Sequence, residues 1–355
     1  MRTEVRTEGA GLGGPDGEHG VEVWSSAGWR ERAVAWLDER LTEAGTARTG
    51  EVEQPHLRPW ATALRVPTRH GPVWLKAAAP GTAFEVGLYG ILHRVAPGRV
   101  PAPLAADVAR GWIVLPDGGP ALAERLGGAD LVDALEAALP QYGQLQRDLA
   151  PLACDLLAMG VADMRPAALP GRFAEALDAV AGFVERRGST ADRAALRRVA
   201  GLGATYAAWC ERLAASPVPA SLDHNDLHPW NILGPGMGAS LQAVFYDWGD
   251  SVVAHPFASM LVPLGFARSG ILRTGPDDPR ILRLRDAYLE GFGDLAPHAA
   301  LVEELELACR VGKVARALTW QRAVVAMGSD DDEGFARAPL ETLLSLPSDS
   351  YLGGA

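Results

Sequence analysis

Lysine is almost absent from this chain. Of its 33 basic residues only Lys76 and Lys313 are lysines, so a position that keeps a compact ammonium instead of a planar guanidinium stands out. Cysteine is also scarce. Cys154, Cys210 and Cys309 are widely spaced and odd in number, which excludes a disulfide framework or a clustered zinc site and points to buried thiols in a reducing cytoplasm. No apolar run approaches the roughly 20 residues that a bilayer-crossing helix requires. The start, Met1-Arg2-Thr3-Glu4-Val5-Arg6, lacks the apolar centre of a signal peptide, so neither export nor a membrane span is expected. No Walker A pattern occurs, which excludes a P-loop. Positive charge is in deficit: the net charge of -11 argues against nucleic acid and anionic membranes as partners, while tolerating a cationic small molecule.

At 355 residues, 48% of them hydrophobic and 22% charged, the chain is a soluble globular protein large enough for one big domain or two lobes. Residues 1–20 read as a glycine-rich flexible tail. Gly9 to Gly14 matches G-x-G-x-x-G, but no strand precedes it, so the match lacks the context of a phosphate loop. A helix is expected over Ala27–Leu41. Strands follow at Ala61–Val66 and Pro72–Ala77, then a helix over Thr82–Leu92 and strands at Ala102–Asp107 and Gly111–Leu115. Pro116-Asp117-Gly118-Gly119-Pro120 breaks the pattern. Beyond it helices are predicted over Asp130–Ala138, Gln141–Asp148, Ala174–Arg187, Ala191–Ala215, Arg280–Phe292 and Ala299–Met327. The division is thus a lobe at 21–116 with its leading helix, a helical lobe at 117–346, and a frayed tail at 347–355.

One stretch carries chemistry. Asp223-His224-Asn225-Asp226-Leu227-His228-Pro229-Trp230-Asn231 is followed by Phe245-Tyr246-Asp247-Trp248-Gly249-Asp250. Asn231-Ile232-Leu233 reads as a strand, 234–238 as a turn, and Leu241–Tyr246 as the returning strand. Such a hairpin brings Asn231 and Asp247 to the same end, with Asp226 on the loop that feeds it. This is the spacing a phosphoryl-transfer site needs: Asp226 to orient a hydroxyl and accept its proton, Asn231 and Asp247 as hard oxygen ligands for magnesium. A lone Asp after a strand is often only a helix cap; the joint pattern is far more specific.

These segments resemble the aminoglycoside phosphotransferase family, the small-molecule branch of the protein-kinase-like fold. The motifs are concentrated at 223–250, and the likeness spans about 50–345. Asn225 and Trp230 depart from it, since glycine is more usual at both. The resemblance implies an α+β, two-lobed fold: a small mixed β lobe binding nucleotide and a larger, mainly helical lobe binding the acceptor. It implies Asp226 as base, Asn231 and Asp247 on Mg2+, and ATP as phosphoryl donor. Lys76, on the strand face opposite Val73 and Leu75, would meet the α- and β-phosphates and be oriented by Glu85. Adenine needs an apolar slot edged by backbone groups; Leu115-Pro116-Asp117 would supply it, with the donor from Leu115 or Asp117 because Pro116 has no N–H.

Protein kinases carry a glycine fingerprint between their first two strands. Here Pro67-Thr68-Arg69-His70-Gly71 holds a single glycine, as the small-molecule family allows. Between Asp250 and His255-Pro256-Phe257 there is no room for a long activation segment, which favours a small hydroxyl compound as acceptor. Antibiotics, sugars and amino alcohols are all compatible, in resistance or in metabolism. The alternative is a catalytically silent kinase fold that binds nucleotide for regulation. His228, Trp230 and His255 suit loop packing as well as chemistry, and Asp250 a supporting contact or a cap. Tyr142, Gln144 and Gln146 suit a cleft or a helix surface, and Asp330-Asp331-Asp332-Glu333 a solvated loop.

Overall fold

In the computed structural model, which describes residues 19–328 and 333–353, the leading helix runs Ala27–Glu43, capped by the Ser26 hydroxyl on the Trp29 N–H. The glycine match at 9–14 and the acidic run at 330–332 lie outside the described residues. The chain divides into two units. Met1–Gly87 and Leu104–Leu115 form the first, Leu88–Pro103 and Pro116–Ala355 the second.

The first unit holds a five-stranded sheet in the order β1-β2-β3-β5-β4. These strands are β1 (Glu53–Arg58), β2 (Ala61–Val66), β3 (Val73–Ala78), β4 (Ala105–Asp107) and β5 (Trp112–Pro116). β2 pairs antiparallel with both β1 and β3, and β4 pairs antiparallel with β5. Strand alternation sorts β3: Val73 and Leu75 are buried, while Trp74 and Lys76 turn to the other face. The buried face packs against the leading helix, so Trp29, Leu37 and Leu41 share a core with Leu64, Leu75 and Val114. Trp112 meets Trp29 edge-on at 6.1 Å and Trp36 at 5.5 Å.

The second unit is mainly helical. Gly128–Leu149 is a single helix through Pro140, where two helices were expected. Proline removes one backbone bond there, but Leu135, Leu139, Tyr142, Leu145 and Leu149 are all buried along it, and that burial carries the helix across. The opposite happens at Ala191–Ala215, which is two helices, Thr190–Ala200 and Gly203–Ala214. Gly201 and Gly203 weaken the join, and Ser189 and Asp192 form a capping box at the first start. The other predicted helices stand at Leu169–Arg187, Pro279–Glu290 and His298–Met327. A three-stranded sheet that sequence reasoning missed comprises β6 (Ala162–Met164), β7 (Ser221–Asp223) and β10 (Val252–Ala254), with β10 parallel to β6 and antiparallel to β7.

The hairpin is shorter than expected. β8 (Ile232–Leu233) pairs with β9 (Val244–Phe245), Ile232 opposite Phe245. At 241–243 Gln141 takes part of the strand's backbone: its amide donates to the Leu241 carbonyl (2.8 Å) and accepts from the Ala243 N–H (3.0 Å), while the Gln242 N–H donates to the Pro235 carbonyl.

Two further expectations change. Residues 347–353 are not frayed: Tyr351 and Leu352 are buried, and Arg310 donates to the carbonyls of Leu346, Ser348 and Asp349. They follow an unforeseen helix, Glu333–Leu344. Of the three thiols, Cys210 and Cys309 are buried but Cys154 is exposed. Among the described residues no helix is long and apolar enough to cross a membrane.

Candidate functional site

In the first unit, the turn Pro80–Thr82 leads from β3 into the helix Phe84–Val95 and sets Glu85 in its first turn. Thr82 steadies the turn by donating to the Ala79 carbonyl. Lys76 Nζ lies 2.7 Å from Glu85 Oε2 and 2.9 Å from Oε1. The carboxylate is 1% exposed and the lysine side chain 21%, so the acid is buried and the lysine partly so. Leu115 is buried within β5.

In the second unit, Asp117 accepts from the Gly119 N–H at 2.8 Å, an Asx-type turn. Next to it a Cβ on Gly118 would lie 2.3 Å from Leu233 Cδ1, so the glycine packs directly on the Leu233 side chain of β8.

The motif loop leaves β7 at Asp223. Asn225 takes φ +59°, a left-handed conformation that asparagine tolerates better than most residues. Its side chain explains the departure from glycine: Nδ2 donates to Thr319 Oγ1 (2.8 Å) and to the Asp250 carbonyl (3.2 Å). Asp226 follows. Its Oδ1 lies 2.8 Å from an Arg316 nitrogen and its Oδ2 3.4 Å from His228 Nε2. Arg316 also donates to the Asn225 carbonyl at 3.0 Å. Asn231 closes the short 3-10 turn Pro229–Asn231 and donates through Nδ2 to the Asp226 carbonyl at 2.9 Å, which leaves Oδ1 as the acceptor of that amide. The Tyr246 N–H donates to the Asn231 carbonyl (3.2 Å), and Asp247 comes next, exposed, at φ +64°. That strained conformation is held from three sides. The Asp247 N–H donates to Tyr89 Oη, His224 Nε2 pairs with the Tyr246 carbonyl, and the Trp248 indole donates to the Phe245 carbonyl. Asp226, Asn231 and Asp247 thus stand on one loop and one hairpin rung.

Beneath the loop is a buried polar network. Asp223 accepts from Ser259 Oγ (2.6 Å) and from the Asn225 N–H (2.7 Å). Tyr142 Oη accepts from the His224 N–H. Gln146 donates to the Leu222 carbonyl and to Ser259, and accepts from the Tyr288 hydroxyl. Tyr142 and Gln146 therefore support the loop from below, whereas Gln144 sits on the helix surface with Asp148. His255 accepts from the Phe257 N–H and meets Ser216, a structural role.

Burial works to raise the Asp226 carboxyl, but the Arg316 guanidinium and the two nearby histidines hold it below the usual carboxylate range. Burial pushes Asp223 up to about 6, despite its hydrogen bonds. It also pushes His224 below its ordinary value, against the Tyr246 carbonyl and the Asp226 and Asp247 charges. Asp250 is raised by burial even though Arg322 pairs with it.

Arg316, Thr319 and Arg322, all on the helix His298–Met327, are the residues sequence reasoning missed. Their only signal was polar side chains at intervals of three in an otherwise apolar stretch. Among the described residues no group of three or more His, Cys, Asp or Glu could hold a metal by itself. Magnesium needs no such cage, since it takes one or two protein oxygens and completes its shell with phosphates and water. The Asn231 amide oxygen and the Asp247 carboxylate are hard oxygens of the kind it takes.

A model of the phosphotransferase enzyme family matches residues 31–301. No curated protein matches the sequence. Solved structures share the fold at low identity. A macrolide 2'-phosphotransferase from Brachybacterium faecium is 17% identical with a TM-score of 0.54, covering 86% of this chain and 97% of its own. A choline kinase from Cryptosporidium parvum is 13% identical with a TM-score of 0.58, over 89% and 95%. An ethanolamine kinase from Plasmodium vivax is 13% identical with a TM-score of 0.61, over 94% and 92%. The α+β, kinase-like fold expected from the motifs is the fold of these proteins.

Proposed function

This chain belongs to the phosphotransferase enzyme family and is a small-molecule kinase, and we infer that it moves the γ-phosphoryl group of ATP to the hydroxyl of a small acceptor at Asp226. The acceptor oxygen forms a bond to the γ-phosphorus as the bond to the β-bridging oxygen breaks. ADP leaves, and the hydroxyl proton passes to the Asp226 carboxylate. The observation that carries this reading is the environment of Asp226: a carboxylate held in its charged form by Arg316, on the loop that also fixes Asn231.

Asn231 and Asp247 would hold magnesium, which when bound neutralises charge on the phosphates. Lys76 would meet the α- and β-phosphates, kept in place by the buried Glu85 carboxylate. Leu115 and Asp117 mark the segment expected to edge the adenine. Catalysis on this reading is mostly positioning and charge stabilisation. Macrolides, choline and ethanolamine are acceptors named for relatives of the same fold, and fold alone does not choose among them.

The test is a coupled ADP-release assay with Mg·ATP against macrolides, aminoglycosides, sugars and amino alcohols, with Asp226→Asn alongside. Acceptor-dependent turnover that the substitution abolishes is expected. Undiminished turnover in Asp226→Asn would overturn the assignment of the base.

A further inference from the structure

Trp230 is 46% exposed, unusual for so large an apolar ring. It stands one residue before Asn231 and four after Asp226. Its ring is fixed edge-to-face by His228 (5.8 Å) and Phe266 (5.2 Å). His228 in turn touches Asp226 Oδ2, so this ring cluster abuts the base directly. Beyond Phe266 the chain runs as a π-helix, Ala267–Leu272, an irregularity frequent at functional sites. A rigid indole left open beside a reacting carboxylate offers apolar contact at little entropic cost.

The charges nearby point the same way. A polycationic acceptor needs several open carboxylates, but Arg316 pairs with Asp226 and Arg322 with Asp250, and the exposed acid of this segment, Asp247, is the one read above as a magnesium ligand. The Arg316 guanidinium also lies 4.5 Å over the Trp320 ring. An acceptor approaching the Asp226 oxygens therefore meets an indole and acids already engaged by guanidinium, and several ammonium groups would find few carboxylates to bind there.

We propose that the acceptor carries a flat or macrocyclic apolar face that lies on Trp230, and that it is neutral or singly charged rather than a polycationic amino sugar. This rests on the phosphotransfer reading above, for the hydroxyl must reach Asp226 from that surface.

The probe is the full chain labelled with 5-fluorotryptophan and loaded with Mg·ADP, its Trp230 fluorine line assigned by loss in Trp230→Phe. Erythromycin A, 4-methylumbelliferyl glucoside and kanamycin A are titrated separately. The line is expected to move saturably with at least one of the first two and not with millimolar kanamycin A. Trp230→Ala should weaken the responding probe at least tenfold by calorimetry, with most affinity kept in Trp230→Phe. Movement with kanamycin A, no response to either apolar probe, or unchanged affinity in Trp230→Ala would each overturn the proposal. Binding without ADP release from Mg·ATP would instead sink the phosphotransfer reading and leave the binding surface standing. ADP release with kanamycin A alone would do the reverse.

Discussion

Arg316 places a guanidinium nitrogen 2.8 Å from Asp226 Oδ1 and a second hydrogen bond on the carbonyl of Asn225, one residue earlier. One side chain thus sets both the charge of the proposed base and the path of the loop that carries it. Arg316→Ala should lower acceptor-dependent turnover on the order of 100-fold, since small misplacements at a reacting centre have effects of that size. The KM for ATP should hardly move. Guanidinium ion added to the assay should restore part of the rate, and Arg316→Lys should fall between. A loss that guanidinium leaves untouched, with a lowered melting temperature, would reduce Arg316 to a structural role.

Glu85 is almost fully buried against Lys76. Removing the lysine leaves a buried carboxylate without that partner, so Lys76→Met should destabilise the fold by about 3 kcal/mol. Lys76→Met combined with Glu85→Leu should recover most of that loss in urea unfolding. Nucleotide binding should stay weak in both, because the ammonium is gone. Equal stability of the two variants would argue against a buried pair.

Asp223 gives a pH signature. Its carboxyl is held at about 6 by burial, above its ordinary value near 4. Between these two values the folded chain keeps a proton that the unfolded chain releases, so this group's contribution to stability falls as pH rises and levels off above about 6. The difference in unfolding free energy between the native chain and Asp223→Asn should therefore shift by about 2 kcal/mol against the native chain from pH 4 to pH 7. A flat difference across that range would show that Asp223 is charged throughout.

Gly234 ends β8 at φ +122°, and a Cβ there would lie 1.9 Å from the Gln242 carbonyl oxygen. Gly234→Ala should cost about 2 kcal/mol or more and loosen the rung that joins Asn231 to Tyr246. Thermal melting alongside ADP release tests this, with both expected to fall.

What the sequence disclosed about the site is what neighbours in the chain determine. Asp226, Asn231 and Asp247 are joined by one loop and one hairpin. Lys76 and Glu85 are joined by one strand, one turn and one helix start, so period and turn chemistry place them. Arg316 lies 91 residues from Asn225, and Gln141 about 100 from the backbone it binds. No local pattern signals either, because a guanidinium on a helix is ordinary surface chemistry until tertiary packing buries it. The helix errors are of a related kind. Pro140 breaks an isolated helix, where no burial opposes it, but not this buried one, and Gly201 weakens a helix more than the periodicity around it suggests. The tail misled because Tyr351 and Leu352 are short of apolar neighbours in sequence and rich in them only in space.

The helix His298–Met327 meets two different parts of the chain in succession. Arg310 and Lys313 bind the backbone at 345–349, then Arg316, Thr319 and Arg322 bind the motif segment at 225–250. Each added residue rotates the remainder of the helix by about 100°. An insertion or deletion of one residue between Lys313 and Arg316 would leave the first set engaged and swing the whole second set out of phase. This helix can therefore drift by substitution over evolutionary time, yet between those two positions its length is locked.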